Sequence, residues 1–476
     1  MIRQEENSRT KVCPYCFRKI SNKDTAFLLK TDGYHFSSPV LGEALHARPD
    51  EAYQNFWTAM GIPEGRVDSL RSVIDQEKMA ELNQELAASG HELAVRRYDE
   101  DSNGYAFFVE EGALTVYSNT MLCPYCHNVL PQNFFKYDTM MIGLAGSVAS
   151  GKTVYLSSLL MNGFDVLQRS NLSIRNADGN PNDPSKVEME RNADQLARTG
   201  ICPESTSKIF RKPIFLEMHY KLPGQSIALL VAVYDVAGEL IREGVGSGRT
   251  GFMRHMDGYI CLVDPAQMHL HHSLFSRRSP GEKQVLAKLH LMTREEQIAI
   301  QQGSGEDSRQ IYHPADLMAD DSVKDNYIYE RRADVILDAI RAGVGDQELH
   351  KKFIALTVAK SDLLENLSEI RQYRGSSLLF DRAAIDYGFL DMDRHLLRQR
   401  VLYPIFDQKI LHLQRYLDDY RAGGLFAVSA LGCETKEIKT EDGTTVQAVG
   451  QVHPMGVDEP ILWMIMKYIQ ERGWIK

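Results

Sequence analysis

The stretch MMIGLAGSVASGKTVYLSSLL, residues 140–160, decides how the rest of the chain is read. Met140 to Ala145 is a short apolar run, as a buried parallel strand would be. Gly146 and Gly151 punctuate it, and from Lys152 the pattern turns helical, with Leu156, Leu159 and Leu160 on one face. Strand, glycine turn and helix form the context in which G-x-x-x-x-G-K-[ST] has a physical meaning, and GSVASGKT (146–153) matches at every fixed position. In such a turn the backbone N–H groups around Ser147, Ser150 and Gly151 point inward, joined by those of the first helical turn at Thr153 and Val154. The helix terminus adds partial positive charge, Lys152 meets the β- and γ-phosphates, and the Thr153 hydroxyl faces Mg2+. The expectation is a nucleotide whose phosphates sit at this turn.

Downstream, SIALLVAVYDVAGEL (226–240) reads as an apolar strand ending in Asp235 and followed by Gly238 and Glu239. A carboxylate at the C-terminal end of a buried parallel strand is where a Mg2+-organising group belongs, and Gly238 would give its N–H to the γ-phosphate. Pro223 and Gly224 mark a hairpin turn, which predicts one antiparallel edge strand beside an otherwise parallel sheet. Three more apolar runs read as strands: GYICLVDP (258–265), KFIALTVAKSD (352–362) and GLFAVSALG (424–432), the last carrying Ser429 and Ala430.

Toward the N-terminus, KVCPYCFRKI (11–20) and MLCPYCHNVL (121–130) share the tetrapeptide CPYC. Each C-x-x-C aims two thiolates at one point, so Cys13, Cys16, Cys123 and Cys126 supply the four soft ligands of tetrahedral Zn2+. The rival is thioredoxin-like redox chemistry, which needs one such pair at a helix N-terminus and leaves the matched second copy unexplained. The reading is a structural zinc ribbon, split into 1–22 and 120–137, with a module of residues 23–119 inserted in it. Within that module MAELNQELAAS (79–89) reads as helix and GYAFFVEEGALTVYS (104–118) as strand. His35, His46, His91 and His127 are alternative ligands, His127 foremost because it follows Cys126; each reads more simply as an ordinary histidine.

Composition bounds the rest. A chain of 476 residues exceeds one ordinary core, and 43% hydrophobic with 25% charged residues is a globular balance. The net charge of −10 argues against general nucleic-acid binding. No apolar run approaches the ~20 residues of a membrane span. The start, MIRQEENSRT, is too polar for a signal peptide, and seven cysteines in this length suit a reducing cytoplasm.

The ordered set GSVASGKT, DVAGE, AKSD and VSAL resembles the translation-factor and Ras class of P-loop GTPases. More narrowly, GKTVYLSSLL, GYICLVDP and VDEPILWMI (457–465) resemble the bacterial double-GTPase-type proteins of predicted conflict systems, a likeness covering roughly residues 138–476 and one such domain. It implies GTP/GDP and Mg2+ as cofactors. Asp362 would accept two hydrogen bonds from the guanine edge, Lys360 would lay its stem along the base, and Ala430, beside Ser429, would offer a backbone N–H. Ala359 departs from the family's Asn or Thr, which ties the base loop to the phosphate loop; the departure puts tight guanine binding in doubt. The resemblance also calls for a switch threonine, for which Thr206 is the choice and Thr199 the second. Glu239 stands where the Ras-like family often has Gln to orient the attacking water, and its charge facing the γ-phosphate predicts slow turnover.

Residues 266–350 read as a mainly helical insertion in the P-loop domain (138–476). Arg277 and Arg278 read as solvated charges rather than an arginine finger, and His269, His271 and His272 as loop residues. The sequence thus predicts an α/β P-loop domain with a split zinc ribbon, acting as a Mg2+-dependent GTPase switch that controls contacts with protein partners or with itself. The rivals are a related ATPase and a nucleotide-stabilised scaffold that recruits partners without catalysis.

Overall fold

The computed structural model describes residues 9–29, 39–60, 69–88, 90, 95–100, 104–111, 114–146, 150–167, 172–177, 184–203, 213–222, 225–235, 249–263, 333–364, 385–386, 389–407, 413–433, 435–439 and 445–475. Seven strands form one sheet: β1 (Asp138–Gly146), β2 (Leu172–Asn176), β3 (Ile214–Leu222), β4 (Gln225–Asp235), β5 (Gly258–Val263), β6 (Phe353–Val358) and β7 (Ala422–Ala427). Their spatial order is β2-β3-β4-β1-β5-β6-β7. From β4 through β7 every neighbour is parallel. β3 runs antiparallel to β4, with Leu222 opposite Gln225 across the two-residue connection, as the Pro-Gly signal implied. β3 is not the edge, however. β2 pairs outside it, from Leu172 opposite Tyr220 to Asn176 opposite Leu216, so the expected single antiparallel edge strand is an antiparallel edge pair. The short strand LSIRN satisfies backbone groups that β3 would otherwise leave open.

The sheet is covered on both faces, which is why its central strands are apolar throughout. β5 and β6 are buried at every residue. Along β1 the side chains alternate: Met140, Ile142 and Leu144 join one core with Tyr155, Leu156 and Leu159 of α1 (Lys152–Leu167) and with Ile461, Leu462 and Ile465 of a C-terminal helix, Glu459–Glu471. Met141 and Ala145 face the other core, shared with Leu337 and Ile340 of the helix Ala333–Val344. That helix lies in the long connection that the adjacent parallel pair β5 and β6 needs.

The second core also contains Cys13, Tyr15, Trp57, Cys123 and Cys126, so the cysteine region packs on the sheet itself. The hairpin Thr10–Val12 with Lys19–Ser21 frames the first CPYC. A four-stranded sheet runs in the order Arg48–Pro49, Leu70–Ile74, Ala26–Leu29, Met121–Leu122. Part of the 23–119 segment is therefore bonded directly to the strand that leads into the second CPYC. The helix read at 79–89 lies at Gln76–Ala88, and the 104–118 pattern is the hairpin Gly104–Glu111 with Leu114–Ser118. Among the described residues no helix is long and apolar enough to cross a membrane.

Candidate functional site

Because β4, β1, β5, β6 and β7 are parallel, the residues that follow them all lie along one edge of the sheet. From β1 the chain goes first to one side, β2 to β4, and then crosses to β5 on the other, so the C-terminal end of β1 is a topological switch point. Crevices at such points are where open α/β sheets take ligands. The glycine turn occupies this place.

At Gly146 the turn has no room for a side chain. A Cβ on Gly146 would lie 2.5 Å from Ser150 Oγ and 2.9 Å from the Leu262 carbonyl oxygen. Gly151 has φ +87°, a left-handed conformation that favours glycine. Tyr155 N–H donates to the Gly151 carbonyl (2.8 Å), which starts α1 directly after the turn and aims its first N–H groups into it. The Lys152 ammonium donates to the Gly146 carbonyl (2.9 Å) and so folds back across the turn. Ser150 is fully buried, and its hydroxyl has no hydrogen-bond partner among the described residues. Thr153 and Val154 lie in the first turn of α1. Asp235 ends β4 opposite Leu144 of β1, one strand from the turn.

At the other end of the edge, β6 and β7 bring two separate sequence signals together. Ala359 N–H bonds to Val263 O (2.9 Å) and Ser361 N–H to Val428 O (3.0 Å), with Lys360 between them exposed at φ +51°. Ser429 donates its hydroxyl to Asp362 Oδ1 (2.5 Å) and accepts the Gly432 N–H (2.9 Å). Backbone bonds of 2.8 and 2.9 Å link Ser429 to Met455, and the partly buried Ala430 follows. The Asp362 carboxylate is thus held against the VSAL turn, a contact that neither motif announces alone. Ala359 is buried and offers no polar side chain to bridge toward the glycine turn.

Ser147, Thr206, Gly238, Glu239, Arg277, Arg278, His269, His271 and His272 lie outside the described residues. Thr199, the second switch candidate, closes its own helix: its hydroxyl donates to Gln195 O (2.7 Å) and accepts the Ile201 N–H (3.2 Å).

The four cysteines converge as the spacing implied. Their sulfurs all lie within 4.8 Å of one another, with Cys13 to Cys126 at 3.9 Å and Cys16 to Cys123 at 3.7 Å. A disulfide would need ~2.05 Å. Tetrahedral Zn2+ with bonds of about 2.3 Å sets its sulfurs about 3.8 Å apart, so the donor set fits that ion. The two knuckles are structural copies. In each, the first cysteine's N–H bonds to the carbonyl five residues on, Cys13 to Arg18 (2.9 Å) and Cys123 to Asn128 (3.0 Å). In each, the residue after the second cysteine is left-handed, Phe17 at φ +57° and His127 at +48°. Burial pushes the Cys13 and Cys126 thiols up, while hydrogen bonds from neighbouring thiols hold Cys16 and Cys123 down. Four bare thiolates could not occupy so buried a site without a cation.

His127 is not part of the four-sulfur cluster. Its Nδ1 pairs with Asp50 Oδ1 (2.8 Å), and Asp50 also caps the helix Glu51–Ala59 through the Tyr53 N–H (3.1 Å). Arg71 donates to the His127 carbonyl (2.7 Å), and Trp57 Nε1 donates to Asn128 Oδ1 (3.1 Å). The 23–119 segment thus braces the second knuckle, a role that the sequence pattern did not reveal. No protein-family model matches this chain, and none of the curated proteins compared with it matches.

Proposed function

We propose that the chain is a Mg2+-dependent GTP-binding and GTP-hydrolysing switch with a structural Zn2+ ribbon. The observation that carries this reading is the built turn at the switch point: backbone-only clearance at Gly146, Lys152 folded across it, the buried Ser150 hydroxyl, and a helix N-terminus behind it. β6, which leads into Asp362, lies two strand spacings from β1, about 10 Å. The held carboxylate supports a base end on the same edge as the phosphate end.

In this reading Lys152 and the turn's N–H groups neutralise the phosphates, while Thr153 and Asp235 hold Mg2+. The ion would supply charge neutralisation to the phosphates. Water attacks the γ-phosphorus, the bond to the β–γ bridging oxygen breaks, and GDP and phosphate leave. Thr206, Gly238 and Glu239 keep the roles that the sequence gives them: switch hydroxyl, γ-phosphate donor and water orienter. Cys13, Cys16, Cys123 and Cys126 hold the Zn2+, which has no open position for catalysis. The resemblance to conflict-system proteins is what supports a bacterial defence setting for the switch, with a protein partner or a second copy as the proposed effector. Titration of GTP and ATP against the full chain, followed by single-turnover phosphate release, tests the proposal. Tighter GTP binding with slow release supports it, equal affinity favours the related ATPase, and binding without release favours the scaffold.

A further inference from the structure

The first knuckle does more than complete a metal site. Tyr234, fully buried and next to Asp235 on β4, donates its hydroxyl to the carbonyl of Pro14, inside the first C-P-Y-C (2.7 Å). Phe17, directly after Cys16, stacks on His255 with ring centres 5.0 Å apart and planes 12° apart. It also meets Phe252 at 6.3 Å and Tyr234 at 6.0 Å. Phe252 and His255 belong to the 3₁₀ turn Arg249–His255, which leads into β5 and is fixed to it by the Tyr259 hydroxyl on Met253 O (2.5 Å). Tyr15 packs edge-on against Phe215 of β3 (5.9 Å). One knuckle therefore bears directly on β4, which ends in Asp235, and, through the turn Arg249–His255, indirectly on β5, whose Leu262 carbonyl closes on Gly146.

We propose that this knuckle is a positioning element for the phosphate edge, so that metal in the cysteine centre and a Mg2+-triphosphate at the glycine turn each tighten the binding of the other. The proposal rests on the nucleotide reading given above. Tyr234 and Phe17 are the positioning residues: a ligand that fixes Asp235 also fixes Tyr234 and the knuckle resting on it, and linkage makes the effect reciprocal.

The test measures the apparent zinc affinity of the full chain by competition with a chromogenic chelator. The arms are no nucleotide, GDP with Mg2+, and a non-hydrolysable GTP analogue with Mg2+. The analogue should tighten zinc about five-fold or more, and zinc should tighten the analogue by the same factor. Tyr234→Phe, which removes one hydroxyl, should still hold zinc and nucleotide while this factor falls toward one. A factor of one in the native chain at saturating analogue overturns the proposal, as does an undiminished factor in Tyr234→Phe. A titration showing no nucleotide binding overturns the reading of the turn, and the linkage with it. Hydrogen exchange then separates the two ideas. Faster exchange in 225–235 and 249–263 on zinc removal upholds the knuckle as a positioning element, and unchanged exchange there refutes it.

Discussion

Removing the metal should weaken the sheet as well as the knuckles. Structural zinc contributes about 10–16 kcal/mol of apparent binding energy, as large as the whole stability of a typical domain. Stripped of metal, or carrying Cys123→Ser, the knuckles lose their common anchor, and with it goes what they place on the sheet. The Tyr15 and Phe17 rings would each contribute roughly 1.5–3 kcal/mol if fully buried, and Phe17 less because it is half-buried. The bond from Tyr234 to Pro14 adds about 0.5–1.5 kcal/mol. A loss of about 4 kcal/mol, at about 2–3 °C per kcal/mol for a unit this large, lowers the melting temperature by about 8–12 °C. The assay is calorimetry of zinc-loaded and stripped full chain under reducing conditions, with elemental analysis before each scan. A stripped protein melting within about 2 °C of the loaded one would show that the sheet does not lean on the knuckles, and a purified chain without zinc would remove the premise.

Lys152→Ala should abolish nucleotide binding in a titration, because the phosphates lose their closest cation, while the fold read by circular dichroism stays intact. Asp362→Asn should shift preference from guanine toward xanthine nucleotides, and Ser429→Ala should weaken guanine binding by about 1–3 kcal/mol, since the Gly432 N–H loses its acceptor and the carboxylate its brace; competition titrations read both. Glu239→Ala should keep binding and change single-turnover phosphate release; unaltered release would remove Glu239 from the chemistry. Burial raises the Asp257 carboxyl to about 6, although the Met141 N–H and Lys352 oppose this. The folded chain then holds that proton more tightly than the unfolded one. This group's contribution to stability should fall by about 2–3 kcal/mol as pH rises from about 4 to about 6, then level off. Comparing melting temperatures of the native chain and Asp257→Asn across that range checks the sign, because the variant should lack this component.

What could be read in the sequence was what neighbouring residues encode. The strand, glycine turn and helix of 140–160, the hairpin across 223–224 and the strands at 258–265 and 352–362 follow from short periodicities and turn chemistry. The CPYC pair could be joined across the chain because two identical half-sites demand each other. The remaining features are contacts between residues far apart, with no local mark. Tyr234 reaches Pro14 across 220 positions and Ser429 reaches Asp362 across 67, and in each case the sequence at one end does not name the other. The LSIRN strand was missed because five residues of mixed character carry little period; its place is set by the open side of β3.

The distance along the chain between the two CPYC knuckles also sets a schedule. At about 5–20 residues per second of synthesis, Cys13 and Cys16 exist for about 5–20 s before Cys123 and Cys126 follow them. A further interval of similar length passes before Tyr234 and the turn Arg249–His255 are made. Through the first interval a half-site with two thiols stands open to oxidants, stray metals and other nascent chains. The centre, if it takes Zn2+ as proposed, can close only after the second pair has been made.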